Sequence, residues 1–237
     1  MEGLQALPLS HNGDALEGYV ARPDGEGPFP AVIIYHSGAG PSAFECSKAK
    51  AMAKLGYLGV VADMFGLGAR NFQPGDVTAY ERVTSRGEFF RERVVAWFDA
   101  IAALPETDDA RIGAFGFCMG GSCVLELARS GSDAKAVVSY HGKLTTHAPA
   151  TKGNVKPIVA AYCGLDDPYA PIDTIEALRE ELSAAEADFH IVEFAKVGHS
   201  FTHPEVTGEL PGLAYDAVAD AVSWAGTLAL FETALRR

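Results

Sequence analysis

Cysteine is scarce in this chain, with four in 237 residues at positions 46, 118, 123 and 163. None stands in the close pairs that build a zinc site or a redox dithiol, and four are too few for a disulfide scaffold, so free thiols are expected. Positive charge is also short: 19 Lys and Arg stand against 31 Asp and Glu, a net charge of −12. That balance argues against nucleic acid or an anionic membrane as a partner. No apolar run approaches the roughly 18 consecutive residues of a membrane-spanning helix. Met1 to Val20 lacks the basic start and apolar run of a signal peptide. A soluble cytoplasmic protein is the expectation, with its oligomeric state left open.

Apolar material is plentiful, at 48% of the chain. At this length that supports one substantial core, and no linker, repeat or low-complexity tract divides the sequence, so residues 1–237 are expected to form a single domain. Short apolar runs alternate with longer amphipathic stretches. Ala31–Tyr35, Leu58–Ala62, Ile112–Phe115, Ala136–Tyr140 and Pro157–Tyr162 are continuous and apolar, as strands buried on both faces require. Phe189–Phe194 is a further candidate, and residues 4–22 suggest an antiparallel edge hairpin. Helices are predicted over about 79–103 and about 213–235. The second carries Ala214, Ala217, Val218, Ala221, Val222, Ala225 and Leu228 on one stripe. Such alternation predicts an α/β fold, a mostly parallel central sheet flanked by helices on both faces.

Arg111 to Ser122 reads as strand, sharp turn and helix start, and its turn Gly116-Phe117-Cys118-Met119-Gly120 is a Gly-x-Cys-x-Gly. That is the nucleophile-elbow pattern with sulfur in place of the serine oxygen. The glycines clear space where a strand doubles back into a helix, and a helix N-terminus favours a thiolate. In open parallel sheets, ligands bind beyond the C-terminal strand ends. Four segments follow predicted strands there: His36-Ser37-Gly38, the Cys118 elbow, Gly164-Leu165-Asp166-Asp167-Pro168 and Gly198-His199-Ser200-Phe201. A nucleophile, then an aspartate, then a histidine is the chain order of α/β-hydrolases. Cys118 would attack an electrophilic carbon, His199 would move protons, and the aspartate would orient the imidazole.

These motifs resemble the dienelactone hydrolase family of the α/β-hydrolase fold. The matching pieces are Gly116-Phe117-Cys118-Met119-Gly120-Gly121, Gly164-x-x-Asp167-x-x-x-Pro171 and Gly198-His199-Ser200-Phe201, with the Asp63 segment and Tyr140-His141-Gly142 in support. The family spacing selects Asp167 over Asp166 as the acid. It also implies an oxyanion hole from the backbone N–H groups of Ser37 and Met119. Two positions depart from the family. Its typical glutamate after the first buried strand, which contacts the resting thiol, is replaced by His36, a residue that could tune the nucleophile, donate to substrate or only satisfy backbone groups. Its carboxylate-binding arginine four residues past the catalytic histidine is replaced by His203. Arg82, Arg86, Arg91 and Arg93 sit in a helix and are expected to be solvated. A neutral ester or lactone therefore fits better than dienelactone.

Phe65, Phe72, Phe117, Tyr169 and Phe201 are candidates to line an apolar acyl pocket. Cys46, Cys123 and Cys163 read as structural. His199 and His203 share His-x3-His spacing, but Pro204 and Gly198 break any helix there and no further ligand pair accompanies them, so neither a metal nor another cofactor is expected. The leading function is cleavage of a small ester or lactone through a Cys118 thioester. Phosphotriester hydrolysis by the same triad is the alternative, and a binding protein on a retired hydrolase scaffold is a third reading, disfavoured by the intact triad.

Overall fold

In the computed structural model, which describes residues 3–69 and 77–236, each apolar run predicted as a strand is one. Phe72 lies outside the described residues. The strands are β1 (Gln5–His11), β2 (Asp14–Ala21), β3 (Phe29–Tyr35), β4 (Leu58–Ala62), β5 (Thr107–Phe117), β6 (Ala136–Tyr140), β7 (Ile158–Gly164) and β8 (Phe189–Phe194). They form one sheet in the order β1-β2-β4-β3-β5-β6-β7-β8. The six strands from β4 to β8 in that order run parallel. The predicted hairpin, β1 and β2, adds antiparallel to β4. Its turn is Asn12-Gly13, both residues at positive φ, which suits the twist of a two-residue hairpin loop.

Continuous apolar sequence follows from a sheet covered on both sides. Along β3, Ala31, Ile33 and Tyr35 enter one core while Val32 and Ile34 enter the other. The first core lies under α2 (Thr78–Thr84), α3 (Gly87–Ala102), α4 (Met119–Arg129) and α5 (Ile172–Ala184); the second lies under α1 (Ala43–Lys54) and α6 (Ala217–Leu235).

Two helix expectations change. The stretch 79–103 is two helices, α2 and α3, parted at Ser85-Arg86, where Arg86 leaves helical backbone at φ −116 and ψ 83. Gly87 then starts α3 beneath the His147 ring, which any β-carbon there would strike. The last helix begins at Ala217 rather than 213 and buries a different face: Ala219, Ser223, Thr227, Phe231 and Leu235 point inward while Val218 is 71% exposed. The buried hydroxyls make this face possible. Ser223 and Thr227 donate to the carbonyls of Ala219 and Ser223, and Thr227 also meets the buried Tyr140 hydroxyl. Polar residues thus line an inward face that a hydrophobic-stripe reading assigns to solvent.

Of the four arginines predicted to be solvated, Arg82 and Arg86 are exposed as expected, whereas Arg91 and Arg93 are drawn into the protein. Arg93 is fully buried, pairing with Asp14 of the hairpin and donating to the Met64 carbonyl at 2.9 Å. Arg91 bridges Glu126 and the Ala148 carbonyl. Arg82 also binds Asp14, and Arg86 lies over the Phe89 ring.

Candidate active site

The turn from β5 into α4 is held by close backbone contacts. A β-carbon on Gly116 would collide with the Gly120 backbone, and one on Gly120 with the Tyr35 carbonyl. Between them Cys118 takes φ 55 and ψ −113, a conformation costing a non-glycine residue about 1–3 kcal/mol. It persists because the surroundings fix it: the Cys118 N–H donates to the Tyr140 carbonyl at 3.0 Å, and α4 starts directly behind. The strained residue thus presents its thiol at the helix N-terminus, beyond the carboxyl end of β5.

Asp167 follows β7 and His199 follows β8, and both side chains converge on that thiol. Asp167 is 3% exposed, and its Oδ2 lies 2.8 Å from His199 Nδ1. The other oxygen, Oδ1, accepts the Tyr169 N–H at 2.8 Å, fixing the carboxylate plane. Asp166 is exposed on the same loop, so the structure pairs the imidazole with the aspartate that the family spacing selects. The Cys118 thiol and the His199 imidazole are near enough that each shifts the titration of the other. Both titrations move in the sense of an ion pair. Burial alone would raise the Cys118 thiol, but the hydrogen bond and charge of His199, with backbone N–H groups of Gly38 and Met119, outweigh it and hold the pKa below the ordinary value. Burial alone would likewise lower His199; the hydrogen bonds to Asp167 and Cys118, and their charges, carry it up to about 9.

A pH dependence follows. Thiolate and imidazolium coexist between the lowered thiol pKa and about 9. Alkylation of Cys118 by iodoacetamide should rise with a midpoint below that of a free thiol, and ester turnover should decline on the alkaline side as pH passes through about 9. Cys46, Cys123 and Cys163 are buried and their thiols are raised, Cys163 to about 12, so they should stay unlabelled in the native fold. Peptide mapping of the alkylated protein checks both points. A Cys118 midpoint at or above 9 would remove the ion pair.

The residues around the thiol differ from expectation. Ser37 does not offer its N–H to the site: that group donates to Glu45 Oε1 at 3.3 Å. The backbone N–H of the next residue, Gly38, acts with that of Met119 to lower the Cys118 thiol pKa. His36 is also turned away. Its Nε2 accepts the Met64 N–H at 2.9 Å and its Nδ1–H donates to the Ser37 carbonyl at 2.6 Å, so neither nitrogen is left for substrate or sulfur. Burial lowers its pKa, which leaves the ring neutral. Phe117 and Phe201 are fully buried, Phe117 stacked on Tyr140 and Phe201 edge-on to Phe194, and belong to the core rather than to a pocket. His203 remains at the margin, half-buried with its ring 4.1 Å from that of Phe44. Asp63 orders a turn, accepting the N–H groups of Phe65 and Gly66.

Sequence reasoning missed two contributors, Glu45 and Tyr80. Glu45 is buried on α1 and binds the N–H groups of Ser37 and Ser42; Ser42-x-x-Glu45 is a capping box, a readable signal. Tyr80 lies 3.5 Å from where a Gly38 β-carbon would stand. It borders a cleft of about 400 Å³ that also includes Phe90, Met119, Ser122, Lys143 and Thr146. Tyr169, one of the candidate pocket aromatics, is 55% exposed and covers His199 with ring centroids 4.8 Å apart. Among the described residues, no group of three His, Cys, Asp or Glu side chains is arranged to hold a metal ion, and no helix is long and apolar enough to cross a membrane.

The family model described as the dienelactone hydrolase family matches residues 16–235. The crystal structure of a dienelactone hydrolase-like promiscuous phosphotriesterase from metagenomic libraries is 30% identical, with a TM-score of 0.89 and 98% of each chain covered. An uncharacterized Caenorhabditis elegans protein is 35% identical over 157 residues, 64% of this chain and 98% of that one. A dienelactone hydrolase from Anabaena variabilis, 19% identical with a TM-score of 0.68 over 98% of both chains, shares the fold.

Proposed function

We propose that this chain, which belongs to the dienelactone hydrolase family and is a hydrolase of the α/β-hydrolase fold, cleaves small neutral carboxylic esters or lactones through a covalent Cys118 thioester. The observation that carries the reading is the buried Asp167–His199 hydrogen bond beside Cys118, which sits at the strained elbow with its pKa lowered by that histidine. The thiolate adds to the carbonyl carbon, and the oxyanion takes the N–H groups of Gly38 and Met119 that the thiolate held at rest. His199 then gives its proton to the departing alkoxide, leaving an acyl thioester. In the second half His199 removes a proton from water, hydroxide attacks the thioester, and acid and thiolate are released. Asp167 keeps the imidazole in register and balances its charge throughout. A neutral substrate is favoured because Arg91 and Arg93 are paired inside the protein, Arg82 is paired with Asp14, and burial lowers the pKa of His203. The cleft beside Tyr80 and Met119 suits one arm of such a substrate.

A second reading rests on the 30% identity and TM-score of 0.89 to a promiscuous phosphotriesterase. The same thiolate would displace the leaving alkoxide at phosphorus, protonated by His199, and water activated by His199 would cleave the thiophosphoryl bond.

Intact-protein mass spectrometry during turnover of a p-nitrophenyl ester tests the first reading. An acyl-sized increase mapped to Cys118 is expected. Undiminished turnover by Cys118→Ala would overturn it. Repeating the assay with a neutral p-nitrophenyl phosphotriester tests the second: turnover with a phosphoryl adduct on Cys118 would support it, and no turnover would eliminate it.

A further inference from the structure

The Tyr140-His141-Gly142 motif at the end of β6 has no part in the triad, yet its histidine lies directly beneath the triad. We infer that His141 is a positioning residue whose neutral imidazole clamps the Cys118 elbow to the His199 loop. The inference rests on Cys118 being the nucleophile.

The Cys118 N–H, already directed at the Tyr140 carbonyl, also reaches His141 Nδ1 at 3.2 Å. An N–H can donate only to a bare ring nitrogen, so Nδ1 is unprotonated and the ring hydrogen sits on Nε2. Nε2 in turn lies 2.9 Å from Thr202 Oγ1. Thr202 is buried, three residues beyond His199 on the same loop. One planar ring therefore spans the backbone of the nucleophile and the side chain that anchors the base's loop. The ring is itself fixed: His141 is fully buried, takes φ 38, and donates its own N–H to the Tyr162 carbonyl at 2.9 Å. It packs in T-shaped contacts with Phe201 at 5.0 Å and with His199 at 4.9 Å between centroids.

Neutrality matters as much as place. The titratable groups facing the ring are Cys118 from the elbow and His199 and His203 from the loop. Burial first, then the charges of His199 and His203, hold His141 well below its ordinary pKa. The ring can therefore stand against an imidazolium without competing for the thiolate. With both nitrogens engaged it cannot act as a second base.

Three variants test the clamp. His141→Phe fills the volume but removes both nitrogens. His141→Asn tolerates the positive φ and returns an acceptor near Nδ1. Thr202→Val removes the partner of Nε2. We expect His141→Phe to lower kcat for a p-nitrophenyl ester by about 10- to 100-fold, with KM changed less than about threefold, as displaced reacting groups do. The iodoacetamide midpoint of Cys118 should move up as the sulfur leaves its N–H partners. His141→Asn should regain at least about a tenfold share of a 100-fold loss, and Thr202→Val should shift the midpoint in the same direction as phenylalanine. A folded His141→Phe with unchanged kcat and midpoint overturns the proposal, as does an asparagine variant no better than phenylalanine. If the phenylalanine variant does not fold, Thr202→Val decides, an unmoved midpoint being the overturning result. Alkylation reads Cys118 without substrate, so failure of the thioester mechanism, seen as full activity in Cys118→Ala, is distinguishable from failure of the clamp.

Discussion

Replacing Cys118 by alanine should reduce kcat for a p-nitrophenyl ester at least about 10³-fold while leaving the fold intact, the scale seen when a triad nucleophile is removed. The size follows from the site having one reactive sulfur. The described cysteines other than Cys118 are buried with raised thiols, and none is joined to an imidazole. Cys123, one turn into α4, is fully buried in the core beneath it, so Cys123→Ala should cost stability by the loss of a small buried group and keep activity within a few-fold. Serine at 118 is the sharper probe. It keeps the size and the N–H partners but replaces a thiol that the His199 ion pair can ionise with a hydroxyl that it cannot. A serine variant as active as the native chain would mean that thiolate formation contributes nothing. Circular dichroism and a denaturation curve beside the kinetics separate lost chemistry from lost fold.

Much of this arrangement is legible in the sequence, for identifiable reasons. Strands buried on both faces leave continuous apolar runs, so β3 to β7 show directly. The elbow glycines show because only glycine permits the approach of Gly116 to Gly120 and of Gly120 to Tyr35. The buried face of α6 is hidden because Ser223 and Thr227 satisfy their hydroxyls within the helix and then face Tyr140, which inverts the expected polarity. The need for glycine at the start of α3 is hidden because it comes from His147, some 60 residues away in sequence, lying over Gly87.

The oxyanion assignment shifts for a related reason. Spacing places a residue next to the site but does not say which way its N–H points. At Ser37 the direction is set by Glu45 from α1, and at His36 by the Met64 N–H from the neighbouring strand end. Both are long-range contacts, and together they turn the His36 side chain into a brace. The family's typical residue at this position is a glutamate in contact with the thiol. Here the buried carboxylate comes from α1 and is spent on backbone N–H groups of the same loop. The thiol is left with His199 and backbone donors, the partners of a thiolate rather than of a neutral thiol.

If Cys118 and His199 rest as an ion pair, Asp167→Asn has a double effect. The hydrogen bond to Asp167 is the strongest influence raising His199, against the opposing effect of burial. Asparagine removes the charge and can present an amide N–H to Nδ1, which favours the wrong tautomer. We expect kcat to fall by about 10²- to 10⁴-fold, within the range of the equivalent change in a serine triad. The alkaline decline of the residual activity should move from about 9 toward the ordinary imidazole value of about 6.5. The stability dependence moves with it. In the native chain, a folded-state pKa above the unfolded value contributes stability that is complete below about 6.5 and lost as pH rises through about 9, and Asp167→Asn should flatten that loss. Asp166→Asn, on the exposed neighbour, should change kcat less than about threefold and leave the alkaline limb in place. Equal effects at the two positions would mean that the carboxylates act through the general negative field of the loop, because only Asp167 touches the imidazole.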